Sequence, residues 1–228
     1  MYPFKIFIFG IAIFSLPCIT YAQGVIKGRV VFEGTPPSPE TVEVKSDIPT
    51  CGNQKQVRKL VLGEGQGIAN AIVTLIGVKG ELKPEDGILD QAECEFQPHV
   101  QVVALGSTLK ITSSDSVLHN AHGFYEDGST AFNLAVPIVG MEVPFKTKQA
   151  GLIKLRCDAG HTWMSAYIRV TDTPYYAVTD ANGNFTIQGI PPGEYEIEVW
   201  QEWLGKHLKP ITIGEGEQPF SITLKKPA

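Results

Sequence analysis

The feature that most constrains this chain is an alternation of apolar and polar residues with a period of two, interrupted at short intervals by turn residues. In the segment VIKGRVVF, one face carries Ile26, Val30 and Phe32. The other face carries Lys27 and Arg29. Successive side chains of a β-strand point to opposite faces, so this alternation is typical of half-buried strands. Almost every patterned segment behaves in this way, and the sequence therefore predicts an all-β protein.

The C-terminal part of the chain has the same character. The segment IPPGEYEIEVW alternates so that Ile197 and Val199 face a core, whereas the intervening glutamates, of which Glu198 is the last, are expected in water. Upstream of it, Asn182 and Gly183 form the dipeptide that favours a tight hairpin turn, because both residues tolerate positive φ angles. We therefore expect paired antiparallel strands at this end of the chain.

The first 22 residues have the features of a secretory signal peptide. Lys5 precedes an apolar run over residues 6–16, Pro17 ends that run, and Ala22 is a suitable cleavage position. The run is shorter than the roughly 20 residues of a spanning helix, which disfavours a membrane anchor. Pro17 disfavours a lipidation signal at Cys18. The sequence thus predicts a periplasmic or otherwise exported protein without a membrane span after cleavage.

Charge and motifs exclude several classes of function. The chain has 19 Lys and Arg residues against 24 Asp and Glu residues, a net charge of −5, which disfavours nucleic acid as a partner. The sequence contains no nucleophile with a nearby base motif, no phosphate loop and no recognisable pair of catalytic carboxylates. We therefore expect a protein that is not an enzyme.

Three cysteines follow the signal peptide, namely Cys51, Cys94 and Cys157. In an oxidising compartment, an odd number implies one disulfide and one thiol that is kept for another role. The count alone does not say which cysteine is kept.

A cluster of soft and nitrogen ligands follows the strand LIKLRC. Alternation along this strand points Cys157 inward together with Leu155. His161 comes four residues after the cysteine, and Met164 three residues later. Two imidazoles and a thiolate with a long axial thioether suit copper that cycles between two oxidation states. The second imidazole is best supplied by His119, which follows the strand TLKITSSD.

These residues resemble the cupredoxins, the plastocyanin and amicyanin group, over residues 94–172. The shared marks are a strand that leads to His119 and Asn120, and a distant Cys, His and Met on one loop. The resemblance implies a Greek-key β-sandwich with one mononuclear type 1 copper site. The copper ligands implied in this way are His119, Cys157, His161 and Met164. Asn120 is a short amide that can fasten one ligand loop to another.

Both ends of the chain resemble a second family, the carboxypeptidase regulatory-like (transthyretin-like) β-sandwich. The first half of its pattern lies at residues 24–77 and the second at residues 176–199. We expect one domain inserted into a loop of another, which is a tolerated place for insertion. The alternative is two sequential domains. The expected division is a signal peptide at 1–22, a split regulatory-like sandwich at 24–79 and 174–228, and a cupredoxin-like domain at 88–172.

With Cys157 assigned to copper, Cys51 and Cys94 are expected to form a disulfide that ties the insert to its host. His122 is expected on the opposite face of its strand from His119, and His99 is expected to be structural or near the rim. Neither histidine is predicted as a ligand. Met141 is expected in the core.

The function predicted from these observations is single-electron transport, with a redox protein such as a periplasmic cytochrome as the partner. One alternative is the binding, delivery or sensing of Cu(I), for which sulfur ligands are also suitable. Another is a metal-free structural or interaction module. The colour of the oxidised protein and its metal content distinguish the three.

Overall fold

The structure is a computed structural model that describes residues 23–226. Its regular secondary structure is almost entirely β-strand, which confirms the predicted all-β class. The signal peptide predicted at residues 1–22 lies outside the described residues. Within residues 23–226, no helix has the length and apolarity that a membrane crossing requires.

The described chain contains eighteen strands, one short α-helix, α1 (Ile48–Cys51), and a single 3-10 turn at Glu64–Gln66. The strands, numbered in chain order, are β1 (Gly24–Phe32), β2 (Glu40–Glu43), β3 (Gln54–Val57), β4 (Ile72–Ile76), β5 (Gly87–Ala92), β6 (Glu95–Gln97), β7 (Val100–Ala104), β8 (Thr108–Ile111), β9 (His119–Tyr125), β10 (Thr130–Val136), β11 (Val143–Lys146), β12 (Gly151–Arg156), β13 (Ser165–Thr171), β14 (Tyr176–Val178), β15 (Asn184–Ile190), β16 (Gly193–Gln201), β17 (Gly205–Ile213) and β18 (Gly216–Leu224).

Strands from both ends of the described chain build one sandwich, which we call the terminal sandwich. One of its sheets has the order β15-β1-β18, and the other has the order β14-β4-β16-β17. β1 is antiparallel to β15 and parallel to β18, so that Gly24 lies opposite Gly216. Val73 of β4 and Phe185 of β15 are buried in the same core. Strands that precede residue 80 and strands that follow residue 175 therefore share one apolar core.

The strands between them build a second sandwich, which we call the central sandwich. Its sheets have the orders β10-β9-β12-β13-β7 and β11-β8-β5-β6. β12 lies between β9 and β13, and Arg156 near its end pairs with His122 of β9. Because β9 and β12 are antiparallel, the end of β12 lies close to the start of β9. This topology brings together the two segments that carry the predicted ligands.

The two sandwiches pack against each other through a small apolar cluster. Ile72, Tyr167 and Trp200 are buried in it, and the rings of Tyr167 and Trp200 lie 5.0 Å apart. Beside them, Arg169 Nη2 lies 2.9 Å from Glu198 Oε1. The prediction that Glu198 faces water is wrong: its side chain is buried, because the central sandwich covers this face of β16.

A segment that we call the arm, residues 40–57, leaves the terminal sandwich and packs on the central one. It consists of the β2-β3 hairpin with α1 at its tip. Val44 and Cys51 of the arm are buried in the core of the central sandwich. The motifs of the chain ends predict that these residues belong to the regulatory-like sandwich. The burial of Val44 and the disulfide from Cys51 to Cys94 instead attach them to the central sandwich.

The disulfide between Cys51 and Cys94 is present, and Cys157 is a free, buried thiol. The predicted disulfide is therefore confirmed, and Cys157 is the cysteine that stays outside it. The bond joins the arm to the turn between β5 and β6 of the central sandwich.

Candidate metal centre

His119 is the first residue of β9 and is fully buried. Along this strand buried and partly exposed residues alternate, so His119 and Ala121 face the core while Asn120 and His122 lie on the other face. The backbone of His119 pairs with Val136 of the neighbouring β10. A strand within the sheet therefore holds the first imidazole against the core.

Cys157 follows the last residue of β12, and its inward orientation agrees with the alternation of that strand. The loop then turns through Gly160, whose φ angle of +99° is one that a residue with a Cβ atom rarely adopts. His161 comes next and is fully buried. Its carbonyl accepts a hydrogen bond of 3.0 Å from the backbone N–H of Met164, which is also buried. The loop is thus a compact turn that presents its side chains to the interior.

Three of the four predicted ligands converge. The Nδ1 atoms of His119 and His161 lie 3.0 Å apart, and Cys157 Sγ lies 3.7 Å from His161 Nδ1. These three donor atoms all lie within 4.8 Å of one another. Met164 belongs to the same loop and to the same buried cluster as Cys157. The geometry therefore assembles a thiol and two imidazoles from two segments that are distant in sequence.

Two carboxylates fix the orientation of the imidazoles. His119 Nε2 lies 2.9 Å from Asp115 Oδ2, and His161 Nε2 lies 3.0 Å from Asp47 Oδ2. An ionised carboxylate only accepts hydrogen bonds, so each Nε2 atom carries the proton and donates it. Each Nδ1 atom is then left with a lone pair that is directed at the other ring. With two facing lone pairs beside a thiol, these are residues that could hold a cation.

The electrostatics of His119 favour its neutral form. Burial lowers the pKa of His119, and the neighbouring His161 lowers it further, although the hydrogen bond to Asp115 acts in the opposite direction. A neutral imidazole is the form that binds metal ions. The lowered pKa therefore favours the form of His119 that a ligand needs.

The donor set fits a transition metal ion. Metal bonds of about 2.0 to 2.1 Å to imidazole nitrogen and about 2.3 Å to thiolate place ligand atoms roughly 3 to 4 Å apart. The separations of 3.0 Å and 3.7 Å agree with that requirement. A second group of donor atoms, Cys94, Asp115 and His119, also lies close together. It offers no thiolate, because Cys94 is in the disulfide.

One family model matches residues 146–220 of this chain, and that family is described as polysaccharide lyase family 4, domain II. The matched stretch runs from the end of β11, through the ligand loop, into β18. The carboxypeptidase regulatory-like family that the motifs of the two chain ends predict is not the family that matches. No curated protein matches the chain.

Several solved structures resemble part of the chain. A purple cupredoxin from Nitrosopumilus maritimus has 21% identity and a TM-score of 0.33, with 38% of this chain covering 100% of that one. Amicyanin from Paracoccus versutus has 12% identity and a TM-score of 0.34, with 43% of this chain covering 97% of that one. The copper-containing nitrite reductase of Thermus scotoductus SA-01 has 20% identity and a TM-score of 0.33; 42% of this chain covers 24% of it. The assignment of a metal to this chain depends on its own side chains.

Two further contacts hold the ligand loop in place. Asn120 Oδ1 accepts a hydrogen bond of 2.6 Å from the backbone N–H of Asp158, which confirms that this amide fastens one ligand segment to the other. Trp163 Nε1 donates to the carbonyl oxygen of Cys94 at 2.8 Å, and its ring lies 5.3 Å from that of His161. The loop is therefore anchored on one side to β9 and on the other to the disulfide.

His99 and His122 are not among the converging donor atoms. His122 Nδ1 lies 2.5 Å from Asp158 Oδ2, on the outer face of β9. His99 Nδ1 lies 3.1 Å from the carbonyl oxygen of Ser165, and its Nε2 lies 2.6 Å from Glu202 Oε1. The structure thus places both histidines in separate contacts with carboxylates.

Asp47 and Asp115 are the residues of this site that sequence reasoning missed. Asp115 lies four residues before His119, in a Ser-rich turn that looks solvated, and Asp47 lies 114 residues before His161. One signal could have indicated Asp115, because a histidine ligand usually donates its second N–H to a carboxylate or carbonyl nearby. Nothing in the local sequence of Asp47 indicates its contact.

The pair of His99 and Glu202 predicts a pH-dependent contribution to stability. Burial opposes the charging of His99, but the hydrogen bond and the negative charge of Glu202 raise its pKa above the ordinary value. Because the folded-state pKa is raised, the stabilisation is fully present below about pH 6.5, the unfolded value, and is lost as the pH rises through the folded value.

We expect Glu202→Gln to lower the free energy of unfolding by roughly 1.5 to 3 kcal/mol at pH 5.5, the usual contribution of a hydrogen bond to a charged group. The loss should be smaller at pH 8.5, because the protonated fraction of His99 falls as the pH rises. Denaturant unfolding at the two pH values measures the difference, with Glu194→Gln, an exposed residue of β16, as the control. Equal losses at both pH values would contradict the ion pair.

Proposed function

We propose that this chain is an exported type 1 copper protein that carries single electrons, with His119, Cys157, His161 and Met164 as the metal ligands. The observation that carries the proposal is that two imidazole Nδ1 atoms and one thiol converge at a buried point. On the far side of each ring, a carboxylate accepts the N–H of Nε2 and so leaves Nδ1 free to bind a metal. When bound, copper would supply a one-electron couple. The chain supplies its ligands, their orientation and a buried site.

Copper is the metal that this donor set favours. Two imidazoles and a thiolate in a trigonal plane, with a weak axial thioether, are typical of blue copper sites. Met164 is the buried thioether of the same loop, and the N–H that it donates to the His161 carbonyl fixes its backbone beside the other ligands. A structural zinc site would more commonly use four cysteine or histidine ligands.

Electron transfer agrees with the burial of the ligands better than catalysis does. Both imidazoles have an exposed fraction of 0%, and that of Cys157 is 5%. A small substrate would need an open position at the metal, whereas an electron needs only a short distance to the surface. On these grounds the proposed protein is a carrier and not an enzyme.

A redox protein is the proposed partner, and an apolar surface beside the site supports it. Leu118, which precedes His119 directly, is exposed. Ile138, Val139 and Met141 are exposed on the loop that follows Val136, and Val136 pairs with His119. The expectation that Met141 lies in the core is wrong, since 43% of it is exposed. Large exposed apolar side chains on segments that adjoin the site suit a protein interaction surface.

The division of the chain that we propose follows the two apolar cores. Residues 24–79 and 174–228, apart from the arm, are assigned to the terminal sandwich. Residues 88–172 are assigned to a copper-binding domain that is inserted into it. Export through the signal peptide at 1–22 would place the protein in the periplasm or a similar compartment. The disulfide between Cys51 and Cys94 supports an oxidising location.

A spectrum of the purified protein with added Cu(II) tests the proposal. We expect one equivalent of copper, an intense thiolate-to-copper absorption in the visible range, and an electron-spin spectrum of a type 1 site. Stoichiometric Cu(I) binding without this absorption on oxidation would favour the alternative of copper delivery or sensing. Absence of any bound copper would favour a metal-free interaction module.

A further inference from the structure

The two carboxylates behind the imidazoles differ in where they come from. Asp115 belongs to the central sandwich, as do the ligands. Asp47 belongs to the arm, and its side chain is the only part of the arm to which His161 is hydrogen-bonded among the described residues. The arm therefore completes the site, although the ligands themselves all belong to the central sandwich.

Asp115 is held rigidly. Its Oδ1 accepts the backbone N–H of Glu93 at 2.9 Å, and its Oδ2 accepts the backbone N–H of Cys94 at 2.7 Å. The same Oδ2 accepts from His119 Nε2 at 2.9 Å. Three donors fix this carboxylate, and one of them is the N–H of a disulfide cysteine.

Asp47 is held by its backbone. It has a φ angle of +57°, and its carbonyl accepts the backbone N–H groups of Thr50 and Cys51, both at 2.9 Å. Cys51 is in the disulfide, so Asp47 is tied to the same bond as Asp115. The Asp47 side chain is 38% exposed, whereas that of His161 is 0% exposed. The carboxylate therefore stands between the imidazole and the solvent.

We propose that Asp47 and Asp115 are positioning residues that hold both imidazoles with Nδ1 directed at the metal and that lower the reduction potential of the site. This inference rests on the proposed copper function. The thiolate and two carboxylates place three negative charges around an ion that carries two positive charges when oxidised and one when reduced. Because these charges attract the oxidised ion more strongly, they favour Cu(II) over Cu(I).

The structure offers a sharp test at Asp47. Asn adopts positive φ angles more readily than other residues with a side chain, so Asp47→Asn removes the charge and keeps both the backbone and an acceptor oxygen. Gly tolerates the same backbone, so Asp47→Gly removes the side chain altogether without strain. Asp47→Asn thus tests the charge of the carboxylate, and Asp47→Gly tests whether the side chain orients the imidazole of His161. Glu194→Gln removes one exposed negative charge from the terminal sandwich and is the control.

For Asp47→Asn we expect the ratio of Cu(II) to Cu(I) affinity to fall about tenfold, which is a rise in potential of about 59 mV for one electron. The type 1 electron-spin spectrum should persist. For Asp47→Gly we expect a loss of about 10-fold to 100-fold in Cu(II) affinity, as is usual when the partner of a histidine ligand is removed. Glu194→Gln should keep the wild-type potential and affinity. Wild-type values in both Asp47 variants would overturn the inference while the copper site itself stands.

A measurement on the metal-free protein keeps the inference testable if copper does not bind. At pH 8.5, above the ordinary pKa of histidine, nitrogen NMR of the imidazoles reports which ring nitrogen carries the proton. We expect the Nε2–H form for His161 in the wild type and a mixture of both forms in Asp47→Gly. An unchanged His161 tautomer in Asp47→Gly would overturn the role of Asp47 whether or not the protein binds copper.

Discussion

Replacement of Cys157 by Ser is expected to abolish the intense visible absorption of the copper-loaded protein. The absorption arises from the bond between thiolate and copper, and a hydroxyl is a poor ligand for a soft metal ion. Copper affinity should fall by more than about 100-fold. Loss of a residue that is hydrogen-bonded to a ligand lowers metal affinity by up to that factor, and loss of a ligand itself should lower it further. Absorption spectroscopy and competition with a copper chelator measure the two effects.

Met164→Leu provides a contrast at the same site. The axial thioether bond is long and weak, so this variant should keep its copper and its colour, and its potential should rise. His122→Ala is the control outside the cluster of donor atoms, and its colour should remain close to that of the wild type. A blue band that survives in Cys157→Ser would remove the copper assignment and favour the structural module.

Loss of the disulfide is expected to have the largest effect on stability. For the 43-residue separation of Cys51 and Cys94, the chain-entropy model gives a stabilisation of about 4 kcal/mol. For a protein of this size, that is a fall in melting temperature of roughly 8 to 16 °C. We expect this result for the double variant Cys51→Ala, Cys94→Ala, because Ala buries no polar atom in the two vacated positions. Calorimetry or denaturant unfolding measures it.

The same variant should also bind Cu(II) less tightly than the wild type. The disulfide ties down the turn that carries Asp47, and its Cys94 donates to Asp115 and accepts from Trp163. A double variant with the melting temperature of the wild type would contradict the stabilising role of the bond.

Much of the site follows from local pattern. Alternation along β12 predicts the inward orientation of Cys157, and alternation along β9 separates His119 from His122. The positive φ angle at Gly183 agrees with the hairpin turn expected there. These features depend on residues that are neighbours in sequence, where the geometry of a strand or a turn restricts the possibilities.

Other features cannot be predicted from the sequence, because they depend on packing between segments that are distant along the chain. The charge of Glu198 predicts an exposed residue, but Arg169 of the other sandwich lies against it. The sequence of the arm does not indicate whether Val44 is buried in the terminal or in the central sandwich. Asp47 looks like an ordinary residue before a short helix. Its role arises only when the arm has folded over His161.

The pairing of β1 with β18 constrains the order in which the parts of the molecule can fold. The first strand of the described chain has its partners in β15 and β18, which follow the whole central sandwich in the sequence. Contacts between residues so far apart in sequence form slowly, because a long loop must be closed first. The central sandwich, whose strands pair with one another, can fold while β1 still has an open edge. The terminal sandwich therefore closes last, around a neighbour that is already folded.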